Sequence, residues 1–278
     1  MSCHVGSSVG KMVSMLVVTA VPDAQLFKLR AAASPVFTLE PVEDGPGMVE
    51  AIRLRPVELA VVDPKDGPGI GIREIERLRQ MFPSLSLLIY TALTPETAEL
   101  LLALGRVGIR RAIFSRFDDA PSSLRQALHS EAEHTVFRKV ARSLADLLGA
   151  LPDQLRIALE STLTSPMEAP TVSLMAQRAR LGRRTCERLF ARSGLPSPRM
   201  VLIVARLLYA HRLLLDPGLT VENVATKLGY SRARTMQAHL REVFGLTAGE
   251  MRLSLTPDDA LHIVKARYFN EPLGQVAS

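Results

Sequence analysis

TVSLMAQRARLGRR (residues 171–184) is followed, 49 residues later, by TVENVATKLGYSRA (220–233). Thr171 stands over Thr220, Val172 over Val221, Ala176 over Ala225 and Arg183 over Arg232. Each copy opens on a hydroxyl residue able to cap a helix N-terminus. A short apolar-periodic helix follows, then a tight turn at Leu181-Gly182 or Gly229-Tyr230-Ser231, then a second helix studded with arginine. Two short helices joined by a small turn, the second one basic, make the helix-turn-helix plan. Its repetition in one chain speaks against chance similarity.

The second helices differ on their outward faces. The first, expected over 183–193, puts Cys186, Leu189 and Phe190 on a narrow apolar stripe and leaves Arg183, Arg184, Glu187, Arg188 and Arg192 outside. The second, expected over 232–244, buries Met236, Leu240, Val243 and Phe244 and leaves Arg232, Arg234, Gln237 and Arg241 outside. Arginine pairs bidentately with guanine, glutamine with adenine, glutamate accepts from the cytosine amino group, and further arginines meet phosphate. A long apolar-rich helix over 200–215, ended by Asp216-Pro217-Gly218, joins the units. Such a spacer suits two readers about one DNA turn apart. Double-stranded DNA is the expected partner.

Charge points the same way. Residues 1–130 hold 14 basic and 14 acidic side chains, whereas 131–278 hold 20 and 14 and so carry the whole net charge of +6. Between 171 and 252 the count is 14 against 5, a basic block inside a structured segment, which fits a polyanion. The two cysteines, Cys3 and Cys186, suggest no disulfide framework. No run reaches membrane-span length, and the apolar stretch 12–21 reads as a buried strand rather than a signal peptide. The expectation is a cytoplasmic protein with no membrane partner. The six histidines show no metal-ligand spacing with the cysteines, and no nucleophile–base pair is legible. GPGIG (67–71) lacks the spacing of a phosphate cradle. No metal, cofactor or catalytic residue is expected, and the chain is read as no enzyme.

The first half alternates apolar runs with helical spacing. Strands are expected at MLVVTA (15–20), FTLEPV (37–42), ELAVVD (58–63), LSLLIYTA (85–92) and RRAIFS (110–115). Helices are expected over 22–33, 47–54, 72–82, 95–104 and from about residue 120. Five strand-then-helix units with continuously apolar strands predict an α/β doubly wound, five-stranded parallel sheet covered on both faces. Over residues 12–131 this half resembles a response-regulator receiver domain. Asp63 ends the third strand where receivers keep their phosphoaccepting aspartate, and Thr91-Ala92 end the fourth where they keep a hydroxyl and a small residue. Where receivers hold Mg²⁺ with two acidic residues this chain has Thr19-Ala20, and where they have Lys-Pro it has Ser115-Arg116. Phosphoryl transfer to a carboxylate needs a divalent ion, so the departures imply a pseudo-receiver that serves dimerisation or partner and signal sensing.

The C-terminal half carries a second resemblance. VATKLGYSRARTMQAHLREVFGLTAGEMR (224–252), LGRRTCERLF (181–190) with GLPSPRM (194–200), and Arg206-Leu-Leu-Tyr-Ala-His-Arg-Leu-Leu214 look like the AraC-type DNA-binding domain. The resemblance implies an all-α fold of two helix-turn-helix units joined by a long helix. It places base contacts at Arg184, Glu187 and Arg188 in the first unit, and at Ala233, Arg234, Gln237 and Ala238 in the second. Stretch 190–194 is one residue shorter than the family pattern, and Met200 and Met251 replace the usual aromatic. Gly182 stands for a capping serine, and Ala238 for a frequent arginine.

The expected organisation is a tail over 1–12, a receiver-like domain over 13–131, a helical connector over 132–152, the DNA-binding domain over 153–255 and a tail over 256–278. Leu124 to Leu148 carry a helical stripe, a further helix is expected over 154–163, and a helical piece over 258–265 has no assigned role. The expected function is a sequence-specific transcription regulator, working as a homodimer, with RNA polymerase or a signalling protein as a further partner. The alternatives are a regulator switched by phosphorylation at Asp63, with Thr91 as its switch position, and an interaction adaptor with vestigial helix-turn-helix units.

Overall fold

Continuous apolar strands need cover on both faces, and the structure supplies it. The computed structural model describes residues 15–55, 57, 59–64, 70–109, 111–132, 142, 151–156, 159 and 171–269. Its first part runs β1 (Met15–Ala20), α1 (Asp23–Ala33), β2 (Phe37–Pro41), α2 (Gly45–Leu54), β3 (Leu59–Val62), α3 (Ile72–Met81), β4 (Ser86–Ala92), α4 (Pro95–Arg106), β5 (Ala112–Ser115) and α5 (Pro121–Ala132). All strand pairs are parallel, in the order β2-β1-β3-β4-β5. Neighbouring residues on a strand enter opposite cores, as side chains of period two must. Val17, Val61, Leu88 and Tyr90 pack with Leu29 of α1 and Leu124 and Leu128 of α5. Val18, Val62 and Ile89 pack with Met48 and Ile52 of α2 and Ile75 and Leu78 of α3. Helix α2 starts at Gly45, two residues before the sequence expectation. Asp44 caps it, accepting from the Gly47 N–H at 2.8 Å, and Pro46 in the first turn has no N–H to satisfy.

The last part is all helical: α6 (Val172–Arg178), α7 (Arg183–Arg192), α8 (Pro198–Leu214), α9 (Val221–Lys227), α10 (Ala233–Phe244), α11 (Ala248–Ser254) and α12 (Pro257–Tyr268). Helix α8 is buried on nearly every side and touches each of the other six. A helix apolar all round has to lie at the centre of its fold, so the expected spacer is also the core of the helical region. Helix α12 is longer than the piece expected over 258–265. It packs on α8 and α10, with Ala260 and Val264 in the core. The expected connector helix is described as α5 as far as Ala132. Most of its continuation to 148, most of the helix expected over 154–163 and the tail over 1–12 lie outside the described residues.

The two regions meet. The core that holds Met48, Ile52 and Phe82 is continuous with the one that holds Leu213, Leu214 and Leu219. Gly218 donates its N–H to the Met81 carbonyl at 2.8 Å, and the Arg53 Nε donates to the Gly218 carbonyl at 3.1 Å.

Candidate nucleic-acid interface

The repeat in the sequence is a repeat in space. Thr171 Oγ1 accepts from the Leu174 N–H at 3.2 Å and caps α6. Thr220 Oγ1 accepts from the Asn223 N–H at 3.1 Å and caps α9, and Asn223 Oδ1 accepts in return from the Thr220 N–H at 3.0 Å. After α6, Arg180 N–H donates to the Gln177 carbonyl at 2.9 Å and Leu181 N–H to Ala176 at 2.8 Å. After α9, Gly229 N–H donates to Thr226 at 3.0 Å and Tyr230 N–H to Ala225 at 2.9 Å, residue for residue the same turn.

The turn holds a correction. Its left-handed residue is Gly229 in the second copy, at φ 70°, but Arg180 in the first, at φ 54°. Gly182, read from sequence both as part of the turn and in the place of a capping serine, lies outside the turn and is the extended N-cap of α7 at φ −70°. The N-cap of α10 is Arg232, so the second turn is one residue longer than the first. Cys186 and Phe190 on α7 take the buried places of Met236 and Leu240 on α10. Across the turn the register therefore slips by one, and Arg183 stands over Ala233 rather than Arg232. Arg184 then matches Arg234, Glu187 matches Gln237, and Arg188 matches Ala238.

On α7, Arg183, Arg184, Glu187, Arg188 and Arg192 are all exposed. Around α10, Arg232, Arg234 and Arg241 are exposed and Gln237 is half-buried. Leu189 and Phe244, expected inside, are also half-buried, because each lies at the margin of its stripe. Arg183 Nε donates to Glu187 Oε1 at 2.9 Å one helical turn on, so the carboxylate is already engaged by a neighbour. Neither capping box nor side-chain hydrogen bond closes the start of α7 or α10.

Residues outside the expected set hold these helices in place. The Arg206 guanidinium of α8 lies 5.6 Å from the centre of the Tyr230 ring, and the Tyr230 hydroxyl meets His239 Nδ1 of α10 at 3.3 Å. Burial pushes the Tyr230 hydroxyl up to about 12 against the pull of Arg206, so it stays protonated. Arg267 Nη1 of α12 donates to the Val243 carbonyl at 3.0 Å, near the C-terminal end of α10. A cation among those last carbonyls is favourable, and nothing in the spacing of residue 267 announces it.

In the other region, Asp63 lies just beyond β3 with no exposed surface. Gln25 Nε2 of α1 donates to Asp63 Oδ2 at 2.7 Å, and the Asp63 N–H donates to the Ala20 carbonyl at 2.9 Å. Thr19, Ala20 and Thr91 are equally buried, and among the described residues the Thr19 and Thr91 hydroxyls have no hydrogen-bond partner. A separate network runs beside them. Lys28 Nζ meets Asp119 Oδ2 at 2.6 Å, and the Tyr90 hydroxyl donates to the same oxygen at 2.9 Å. Burial works to raise the Asp119 carboxyl, but Lys28, the Arg116 backbone and Tyr90 outweigh it and hold it below its ordinary range. Burial, followed by Asp119, pushes the Tyr90 hydroxyl well above its own. Among the described residues no helix is long and apolar enough to cross a membrane.

No curated protein matches the chain. A structure of two RcsB dimers bound to two parallel DNAs is 19% identical at a TM-score of 0.37, covering 68% of this chain and 97% of that one. RcsB from Salmonella enterica serovar Typhimurium, bound to promoter rprA in the presence of phosphomimetic BeF3-, is 18% identical at 0.35, covering 67% and 96%. Full-length FixJ from B. japonicum is 17% identical at 0.34, covering 85% and 100%. These likenesses are too slight to bear on function. Residues 175–254, from within α6 to the end of α11, match the helix-turn-helix domain family.

Proposed function

We propose that the protein is a sequence-specific DNA-binding transcription regulator, with working units at 13–131 and 153–255. The observation that carries the reading is a pair of matched helix-turn-helix units on one buried helix, each with an exposed basic second helix. Arg184 and Arg188 are its base readers in the first unit, with Glu187 divided between a base and Arg183. Arg234 and Gln237 are the readers in the second. Arg183, Arg192, Arg232 and Arg241 meet phosphate. Because Ala233 and Ala238 offer no polar group, the second unit contributes less to sequence choice and more to backbone grip.

The receiver-like region acts without conventional phosphorylation, as a dimerisation or sensing domain for a signalling protein or RNA polymerase. Burial of Asp63 beneath Gln25 and the neutral Thr19-Ala20 pair support this. Light scattering of the full chain should give the mass of a dimer. Acetyl phosphate with Mg²⁺ should leave Asp63 unlabelled, and stoichiometric labelling would return the phosphorylation switch to first place.

The test of DNA binding is a gel shift on fragments selected by the full-length protein from a random pool. Arg184→Ala and Arg188→Ala should each weaken binding by about 5- to 150-fold, the span of one to three kcal/mol for a base contact. Affinity should fall steeply with salt as counterions are released. Affinity indifferent to both changes and to salt would overturn the reading in favour of an interaction adaptor.

A further inference from the structure

The loop between α8 and α9, read from sequence as a helix breaker, is held by the receiver-like region at several points. Asp216 is almost fully buried, its Oδ1 accepting from the Ser84 N–H at 2.9 Å and its Oδ2 from the Ser84 hydroxyl. The Gly218 peptide bonds to Met81 and to Arg53. A Cβ on Gly218 would lie 2.5 Å from Phe82 Cε1 and 2.9 Å from the Met81 carbonyl oxygen, so only glycine fits the approach. One helix on, Lys227 is buried as deeply as Asp216 and donates its ammonium to the Arg55 carbonyl. Buried charges are costly without partners, and here both find partners across the seam. From its own side, Arg252 donates to the Leu214 and Leu219 carbonyls at 2.6 and 2.5 Å and holds the same loop.

These contacts fall on one helix-turn-helix unit. Helix α9 packs on α2, whereas none of the hydrogen bonds just described reaches α6 or α7. On the receiver-like side they come from the last turns of α2 and α3 and the loops that follow them, at the amino ends of β3 and β4 and the opposite end of the sheet from Asp63. Arg234, a proposed base reader, and Arg241, a proposed phosphate contact, stay exposed on α10 while α9 is held.

We propose that the receiver-like region is a working part of the second DNA reader: the seam of Ser84 with Asp216, Phe82 with Gly218 and the Arg55 carbonyl with Lys227 positions α9, and with it α10, on DNA. Ser84, Asp216 and Lys227 are positioning residues and touch no base. The proposal rests on the DNA-binding function above. It makes the seam the route by which a change in the first region alters one half of the DNA site and spares the other.

The experiment is footprinting with the full-length chain on pool-selected fragments. Ser84→Glu sets a carboxylate against Asp216 from a loop remote from the DNA-reading residues, and Gly218→Val drives Phe82 away. Each should raise the concentration needed to protect the second half-site by tenfold or more, with the first half-site within twofold of the parent. The retained half-site reports that the variant is folded. Asp216→Asn, whose Oδ1 accepts from the Ser84 N–H and whose Nδ2 donates to the Ser84 hydroxyl oxygen, should protect both halves like the parent. Equal change at both halves, no change at either, or stronger protection of the second half in Ser84→Glu overturns the proposal. A parent chain that protects no DNA overturns the function on which it rests.

Discussion

Arg180 and Gly229 hold the same left-handed place in two copies of one turn, and only the second is the residue that place favours. An L-residue with a Cβ there costs about 1–2 kcal/mol, from which the greater unfolded freedom of glycine returns part. Arg180→Gly should therefore stabilise the chain by roughly 0.5–1 kcal/mol, read as a shifted urea midpoint at constant slope. Gly182→Ala should change little, because its backbone is extended and open space surrounds the missing Cβ. The sequence misled at this turn because glycine marks a left-handed residue in one copy and an N-cap in the other. Asp63 was legible as a strand-end carboxylate, but its cover was not: Gln25 lies 38 residues away, and a glutamine in a first helix turn signals nothing alone.

At the scale of elements the helix starts carry the most local information. Thr171 and Thr220 cap α6 and α9 as their hydroxyls promised, and α7 and α10 begin without a side-chain cap. Thr220→Ala should cost about 1 kcal/mol, since the lost hydroxyl both accepts from the Asn223 N–H and donates to Asn223 Oδ1. At the other end, Arg267→Ala removes the bond to the Val243 carbonyl and should cost about 1 kcal/mol of stability. Urea unfolding followed by circular dichroism checks both. Strands and helices were readable because both-sided burial makes β1, β3 and β4 continuously apolar, and because α7 and α10 show one clean stripe. The role of α12 was not readable. Among its apolar residues Ala260 and Val264 are the fully buried ones, and its worth lies in where it docks, on α8 and α10.

For the whole molecule the decisive feature was the least visible in sequence. Asp216-Pro217-Gly218 has the composition of a solvated loop and Lys227 that of a surface cation, yet the fold buries Asp216 and Lys227 between its two regions. Burial pushes the Asp216 carboxyl up to about 6, with Ser84, Lys227 and Arg79 pulling the other way. Because the folded value exceeds the free one of 3.8, Asp216 contributes stability in full below 3.8 and loses it as pH rises through about 6. The difference, at 1.36 kcal/mol per unit, is on the order of 3 kcal/mol. Unfolding free energy of the parent should therefore fall relative to Asp216→Asn between pH 4 and pH 7, since an amide keeps the Ser84 bonds and carries no charge to bury. A parallel pH course in the two proteins would show that the carboxylate is not held out of water at the seam. Lys227→Met gives the opposite check. With the Lys227 charge gone, one of the influences that lower the Asp216 carboxyl is lost, so its midpoint should move higher still and the seam should loosen at a pH where the parent holds its charge.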